Sequence, residues 1–375
     1  MKIVIAPDSF KGSLSAAEVA EAIKTGFRAV YPDAEYVKVP MADGGEGTVQ
    51  SLVDATSGTI ITELVSGPMG DIVAGFFGIL GDRQTAVIEM AAASGIHWVK
   101  PKERDVYLAS SFGTGQLINA ALDRGCDKLI VGLGGSATND GGMGMMKALG
   151  AQFFDQDGVQ LAADVRALLQ LASIDLQYLD PRLDKTEIVV ACDVDNPLCG
   201  ENGAARVFGP QKGATEEDIA VLDQALTRYG DILSANAGRD IASEPGAGAA
   251  GGMGAAFIGL IDAVLKPGVD IVIEIVDLAN SLVDANLVIT GEGRVDNQTI
   301  HGKTPTGVAK VAKSCNLPVI CITGSVEDGA DFTHQLGIDE IYSVTEGDYD
   351  LTEVLIEAEH KLTQAAQKIA KSLNL

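Results

Sequence analysis

Short apolar runs that stop abruptly at loops of glycine and acidic residues constrain this chain more than any other feature. Residues 2–6 (KIVIA) run into PDSFKGS, and residues 128–131 run into a loop ending GLGGSATNDGGMG. Residues 187–192 end in CDVDNP, and residues 286–290 (NLVIT) enter GEGRVDNQTIHGKT. An apolar run of four or five residues between turn signals predicts a buried strand. Helices are predicted between the runs. Ser15-Ala-Ala-Glu18 is a capping box, and Val19, Ile23, Phe27 and Val30 follow at helical spacing. Tyr36 to Val39 gives the next strand, followed by MADGGEGT. This strand-loop-helix-strand order is that of a parallel sheet wrapped by helices.

The pattern changes near residue 58. TIITELVSGPMGDIVAGFFGILGDRQTAVIEM holds short β-rich runs split by Gly-Pro and Gly-Asp turns, which predicts an antiparallel meander. A helix is expected from about Thr114 and another over 216–233. The α/β order returns at 286–290, 318–323 (PVICIT) and 340–344 (EIYSV). The expected fold is therefore α/β with two domains. One is a parallel Rossmann-like or flavodoxin-like sheet domain built from both chain termini, residues 1–60 plus 285–375. The other is an inserted mixed α/β domain, residues 61–284.

Charge narrows the function. A net charge of -25 repels phosphate backbones and anionic lipid, so nucleic acid and membranes are not the expected partners. The apolar run at residues 3–6 is cut short by Pro7 and Asp8, so no signal peptide is expected, and no stretch is long enough to span a bilayer. The five cysteines (Cys126, Cys192, Cys199, Cys315, Cys321) show no CxxC spacing, which fits reduced thiols in the cytoplasm.

The polar loops carry the chemistry. In α/β sheets ligands bind beyond the carboxyl ends of strands. Glycine lets main-chain N–H groups approach phosphate, and carboxylates there hold Mg²⁺. Two stretches resemble nucleotide-binding fingerprints. His301-Gly302-Lys303-Thr304 offers the GKT of a P-loop, but the first glycine should stand where this chain has Asn297, so spacing excludes it. Residues 132–137 match GxGxxA, with Asp155 downstream, which makes an NAD(P)-dependent dehydrogenase one alternative. A carboxylate at Asp140 opposes it. A ligand-sensing regulator is the other alternative, opposed by the negative charge. For Asp193 and Asp195, with Pro197 beyond, a structural Asx turn competes with a functional role.

Taken together, KIVIAPDSFKGSLSAAEVA, VPMADGGEGT, IEMAAASG, GLGGSATNDGG, ACDVDNPL, FGPQKGA, PGAGAAGGMGAA and ITGEGRVDNQTIHGKTP resemble the bacterial glycerate kinase family that lacks a P-loop. The resemblance runs the length of the chain. It implies ATP- and Mg²⁺-dependent phosphorylation of D-glycerate, with the 2-hydroxyl favoured over the 3-hydroxyl. It also implies two α/β domains with the active site in a cleft between them, and a place in glycerate catabolism. The expected partners are D-glycerate and ATP, and a homodimer is admitted.

Physical reasoning on the motif positions assigns roles. Asp193 is the first choice of base and Asp8 the second. Lys11 and Arg294 are the cations for the glycerate carboxylate or the transferring phosphoryl group. Substrate and nucleotide contacts are expected from Ser9, Asp43, Gly44, Gly45, Gly134, Gly135, Ser136, Asn139, Gly141, Gly142, Asn196, Gly291, Gly293, Asp296 and Lys303. Asp140 and Glu292 are the expected Mg²⁺ ligands.

Overall fold

The computed structural model describes residues 1–296, 299, 303–327, 330–345 and 357–373. Asn297, His301 and Gly302 of the rejected GKT fingerprint lie outside them. The chain forms two units: residues 1–43, 50–56 and 267–375, and residues 44–49 and 57–266.

The first unit is a five-stranded sheet in the order Glu340–Ser343, Val319–Thr323, Leu287–Thr290, Lys2–Ile5, Glu35–Lys38. Every neighbouring pair is parallel. The strands from the two chain ends pair directly, Ile3 opposite Leu287 and Ile5 opposite Ile289. Helix Ala16–Arg28 opens with the expected capping box, Ser15 and Glu18 exchanging hydrogen bonds with each other's backbone. Its buried face (Val19, Ile23, Phe27) packs with Leu362 and Ala366 of helix Ala358–Ser372 over Ile3, Ile5, Ile289 and Ile322. Residues 267–284 belong to this unit. Val269 of helix Gly268–Ile275 packs against Gly307 of helix Thr304–Ser314, where an added Cβ would lie 2.5 Å from its methyl group.

The second unit is a six-stranded sheet in the order Val264–Lys266, Glu187–Ala191, Lys128–Gly132, Thr85–Glu89, Ile72–Ile79, Thr59–Ser66. The meander expected from residue 58 holds for its first three strands, which pair antiparallel. The third of them, Thr85–Glu89, then pairs parallel with Lys128–Gly132, and the parallel pattern continues to Val264–Lys266. Helices Phe112–Asp123, Met143–Ala148, Glu216–Ala237 and Ala249–Leu260 cover it, with Leu117, Met146, Leu226 and Phe257 buried in one core. The cysteines are free thiols, and among the described residues no helix is long and apolar enough to cross a membrane.

Candidate functional site

In each unit parallel pairing puts the carboxyl ends of the strands, and the loops they feed, on one sheet edge. In the first unit the strand ladder continues past the strands. Ala6 N–H donates to the Ile289 carbonyl at 2.7 Å, Asp8 N–H to the Gly291 carbonyl at 2.8 Å, and Met41 N–H to the Pro7 carbonyl at 2.9 Å. Asp8 is thereby held between the loops that follow its two neighbouring strands. The loop after Leu287–Thr290 hugs the next strand because position 291 is glycine: an added Cβ there would lie 2.0 Å from the Ile322 carbonyl oxygen. The Thr323 hydroxyl then fixes Glu292 by donating to its carbonyl at 2.8 Å.

This edge gathers Asp8, Ser9, Lys11, Asp43, Glu292, Gly293, Arg294, Asp296 and Lys303. Asp8 is 6% exposed. It accepts the Thr304 hydroxyl at 2.7 Å and the Ser9 N–H at 2.6 Å. Burial raises its pKa, and Asp43 adds to the rise. The bonds from Thr304 and Ser9 and the charge of Lys11 oppose them and lose, so Asp8 stands at about 6. Lys11 pairs with Asp43 at 3.2 Å. Burial works to lower the Lys11 pKa, but Asp43, Asp8 and Glu292 outweigh it and the net shift is upward.

Glu292 is likewise buried. It accepts the Thr299 hydroxyl at 2.6 Å. Lys303 lies 3.6 Å from it and 3.5 Å from Asp296. Burial dominates, Asp8 and Asp296 reinforce it, and the Glu292 pKa is pushed up to about 7. Arg294 is exposed and reaches Asp296 and Glu327, both at 3.3 Å. The Gly293 backbone lies against Phe10 and Lys11. Sequence reasoning missed Thr299 and Thr304. The only signal for Thr304 was its place in GKT, and there it binds a carboxylate.

The second unit carries the remaining predicted residues. Two of its glycine loops, residues 44–47 and 140–144, lead into helices, and some main-chain N–H groups there are turned inward. Val49 N–H donates to the Glu89 carboxylate at 2.9 Å. Burial pushes Glu89 up to about 7 against its bonds from Val49, Gly47 and Thr48. Gly44 and Gly45 pack against the backbone at Gly132 and Gly134. In the other loop Asp140 supplies the carboxylate itself. It is buried and accepts Ser111 N–H and Oγ, both at 2.8 Å, and the N–H groups of Gly142 and Gly144, both at 3.1 Å. Burial raises its pKa although all these bonds lower it. Both Asp140 oxygens are thus engaged inside the protein, and the metal-ligand role expected for it does not fit.

The loop between them is held by main-chain bonds. Ile96 N–H donates to the Gly135 carbonyl at 2.8 Å and Ala137 N–H to the Ser94 carbonyl at 3.0 Å, with Ser136 bridging Gly95. Gly141 N–H donates to the Gly251 carbonyl at 3.0 Å. Asn139 is buried with its Oδ1 unpartnered. Asp193 is exposed on the loop after Glu187–Ala191. Asn196 ties that loop down, its side-chain amide donating to the Asn202 carbonyl at 2.9 Å. The dinucleotide fingerprint dissolves in space. Asp155 accepts the N–H groups of Asp157 at 2.9 Å and Val159 at 2.8 Å within its own turn. The strand before it, Gln152–Phe154, belongs to a separate antiparallel pair.

Fold and loops together define a two-domain α/β protein whose candidate site residues lie on loops, many of them at the carboxyl edges of parallel strands. Comparison with known proteins narrows the class. The glycerate kinase family model matches residues 3–374. The glycerate kinase of Bacillus subtilis (strain 168) is 53% identical over 375 residues, spanning 100% of this chain and 98% of that one. The glycerate 2-kinase of Escherichia coli (strain K12) is 51% identical over 373 residues, spanning 100% and 98%. A solved chain from Salmonella typhimurium LT2 described as glycerate kinase 2 superposes with a TM-score of 0.91 at 51% identity, covering 99% of this chain and 98% of its own. The chain belongs to the glycerate kinase family.

Proposed function

We propose that this protein transfers the terminal phosphoryl group of ATP to D-glycerate, at the 2-hydroxyl. Family membership carries the reaction, and the name of the Escherichia coli relative favours the 2-hydroxyl. The observation that carries the chemistry is Asp8: a carboxylate held on both oxygens, with a pKa of about 6 and a lysine nearby. Such a group is ionised at neutral pH and accepts a proton readily, which suits a general base. Asp8 takes the proton of the glycerate hydroxyl as that oxygen attacks phosphorus. This ranks the buried, loop-held Asp8 ahead of the exposed Asp193.

Lys11 and Arg294 grip the glycerate carboxylate, and Lys303 neutralises charge on the phosphates. Mg²⁺ fits the same edge. Burial, with Asp8 and Asp296 nearby, raises the Glu292 pKa, and a cation bound there would offset the cost of ionising it. Among the described residues no group of three His, Cys, Asp or Glu side chains forms a ready metal cage. Mg²⁺ ordinarily takes one or two carboxylates, with water and substrate phosphates completing its shell. When bound it would neutralise charge on the transferring group. The 134–142 loop receives nucleotide phosphates through its backbone. Phosphorus NMR of the product from D-glycerate and ATP tests the reading. A 2-phosphoglycerate signal is expected, and a 3-phosphoglycerate signal or no phosphoester would overturn it.

A further inference from the structure

Lys212 closes helix Ala204–Lys212 and is 2% exposed. Its ammonium donates to the Thr138 carbonyl at 2.6 Å. Burial lowers its pKa to about 7 although Asp140 pulls it upward. Taking a lysine out of water is costly, and an apolar side chain of similar length would serve packing better. Stability alone does not account for it, so its hydrogen bond needs a reason.

The bonded carbonyl is boxed in from a second direction. An added Cβ on Gly251, whose φ is +67°, would lie 2.0 Å from the Thr138 oxygen. The Thr138 hydroxyl donates to the Ala250 carbonyl at 3.3 Å. No peptide bond is cis, so the N–H of the 138–139 peptide points away from its carbonyl. Holding the carbonyl on the lysine side therefore aims the Asn139 N–H to the opposite side. Among the described residues that N–H meets no protein acceptor, and the buried Asn139 Oδ1 has no partner either. Buried main-chain donors are rarely left unpaired, and one held in a fixed direction suits an incoming acceptor.

We propose that Lys212 is a positioning residue for the nucleotide: by holding the Thr138 carbonyl it aims the Asn139 N–H at an anionic oxygen of the phosphate chain. This rests on reading the 134–142 loop as the phosphate loop. The test is calorimetric titration of wild type, Lys212→Met and Ser136→Asp with ADP·Mg, beside steady-state KM values and thermal melts. Lys212→Met should stay folded, bind ADP about tenfold or more weakly, and raise KM for ATP but not for glycerate. Ser136→Asp places a negative charge on the loop and should weaken ADP as strongly. If Ser136→Asp weakens ADP and a folded Lys212→Met does not, the role of Lys212 is refuted and the loop reading stands. If neither changes ADP affinity, the loop reading falls and the inference with it. Should Lys212→Met fail to fold, Lys212→Gln is judged by the same outcomes.

Discussion

Replacing Thr304 by valine tests the base directly, because it alters the base without touching its atoms. The variant keeps the side-chain shape and deletes the 2.7 Å bond to Asp8. That bond is one of the forces holding the Asp8 pKa down against burial and Asp43. A hydrogen bond to a charged group is worth about 1.5–3 kcal/mol, and one pKa unit is about 1.4 kcal/mol. Asp8 should therefore rise by about one to two units from its value near 6. The base works as the carboxylate, so rate is lost as pH falls through its pKa. The variant should lose rate at higher pH than wild type. The assay is kcat/KM for glycerate at saturating ATP·Mg, with ADP quantified directly, from about pH 5.5 to about pH 9. Wild type should bend near 6, the variant at about 7–8, with plateaus within about threefold. Coincident acid limbs, or a loss by one factor at every pH, would refute the reasoning and leave Thr304 a packing group.

Asp8→Asn should lower kcat by about a hundredfold or more, while Asp193→Asn stays within about threefold; the reverse pattern in steady-state assays would return the base to Asp193. EDTA should abolish activity, and Glu292→Gln should raise the Mg²⁺ concentration for half-maximal rate by about tenfold or more; an unchanged Mg²⁺ titration would remove Glu292 from the metal. Asp140→Ala strands the donors of Ser111, Gly142 and Gly144. It should cost about 3 kcal/mol or more in chemical denaturation, and full stability with an altered Mg²⁺ requirement would restore its metal role.

The strands and their grammar were legible because each is a local apolar pattern. KIVI and LVIT read as buried strands whatever they pair with, and the Ser15–Glu18 cap needs only its own four residues. The loops were legible as turns, but not what fills them. Glu89 lies some forty residues from the helix start it caps, and nothing in IEMAAASG advertises that task. Asp140 reads as a metal ligand because carboxylates in glycine loops at strand ends hold Mg²⁺, yet its partner Ser111 comes from another segment. Thr299, Thr304 and Lys212 escaped for the same reason: their significance lies in which carboxylate or carbonyl they meet.

The pairing of the first strand with Leu287–Thr290 also sets a timetable for synthesis. The Thr290 hydroxyl reaches the Ala6 carbonyl across 284 residues of chain. At roughly 5–20 residues per second, the N-terminal strand leaves the ribosome about a quarter of a minute to a minute before that partner exists. The intervening segment contains every strand of its own six-stranded sheet and can assemble in that interval. The nascent Lys2–Ile5 and Glu35–Lys38 strands wait as an unfinished edge that a holding chaperone would recognise. Premature termination between residues 267 and 286 would release a chain with a completed middle and a sticky, unpartnered beginning.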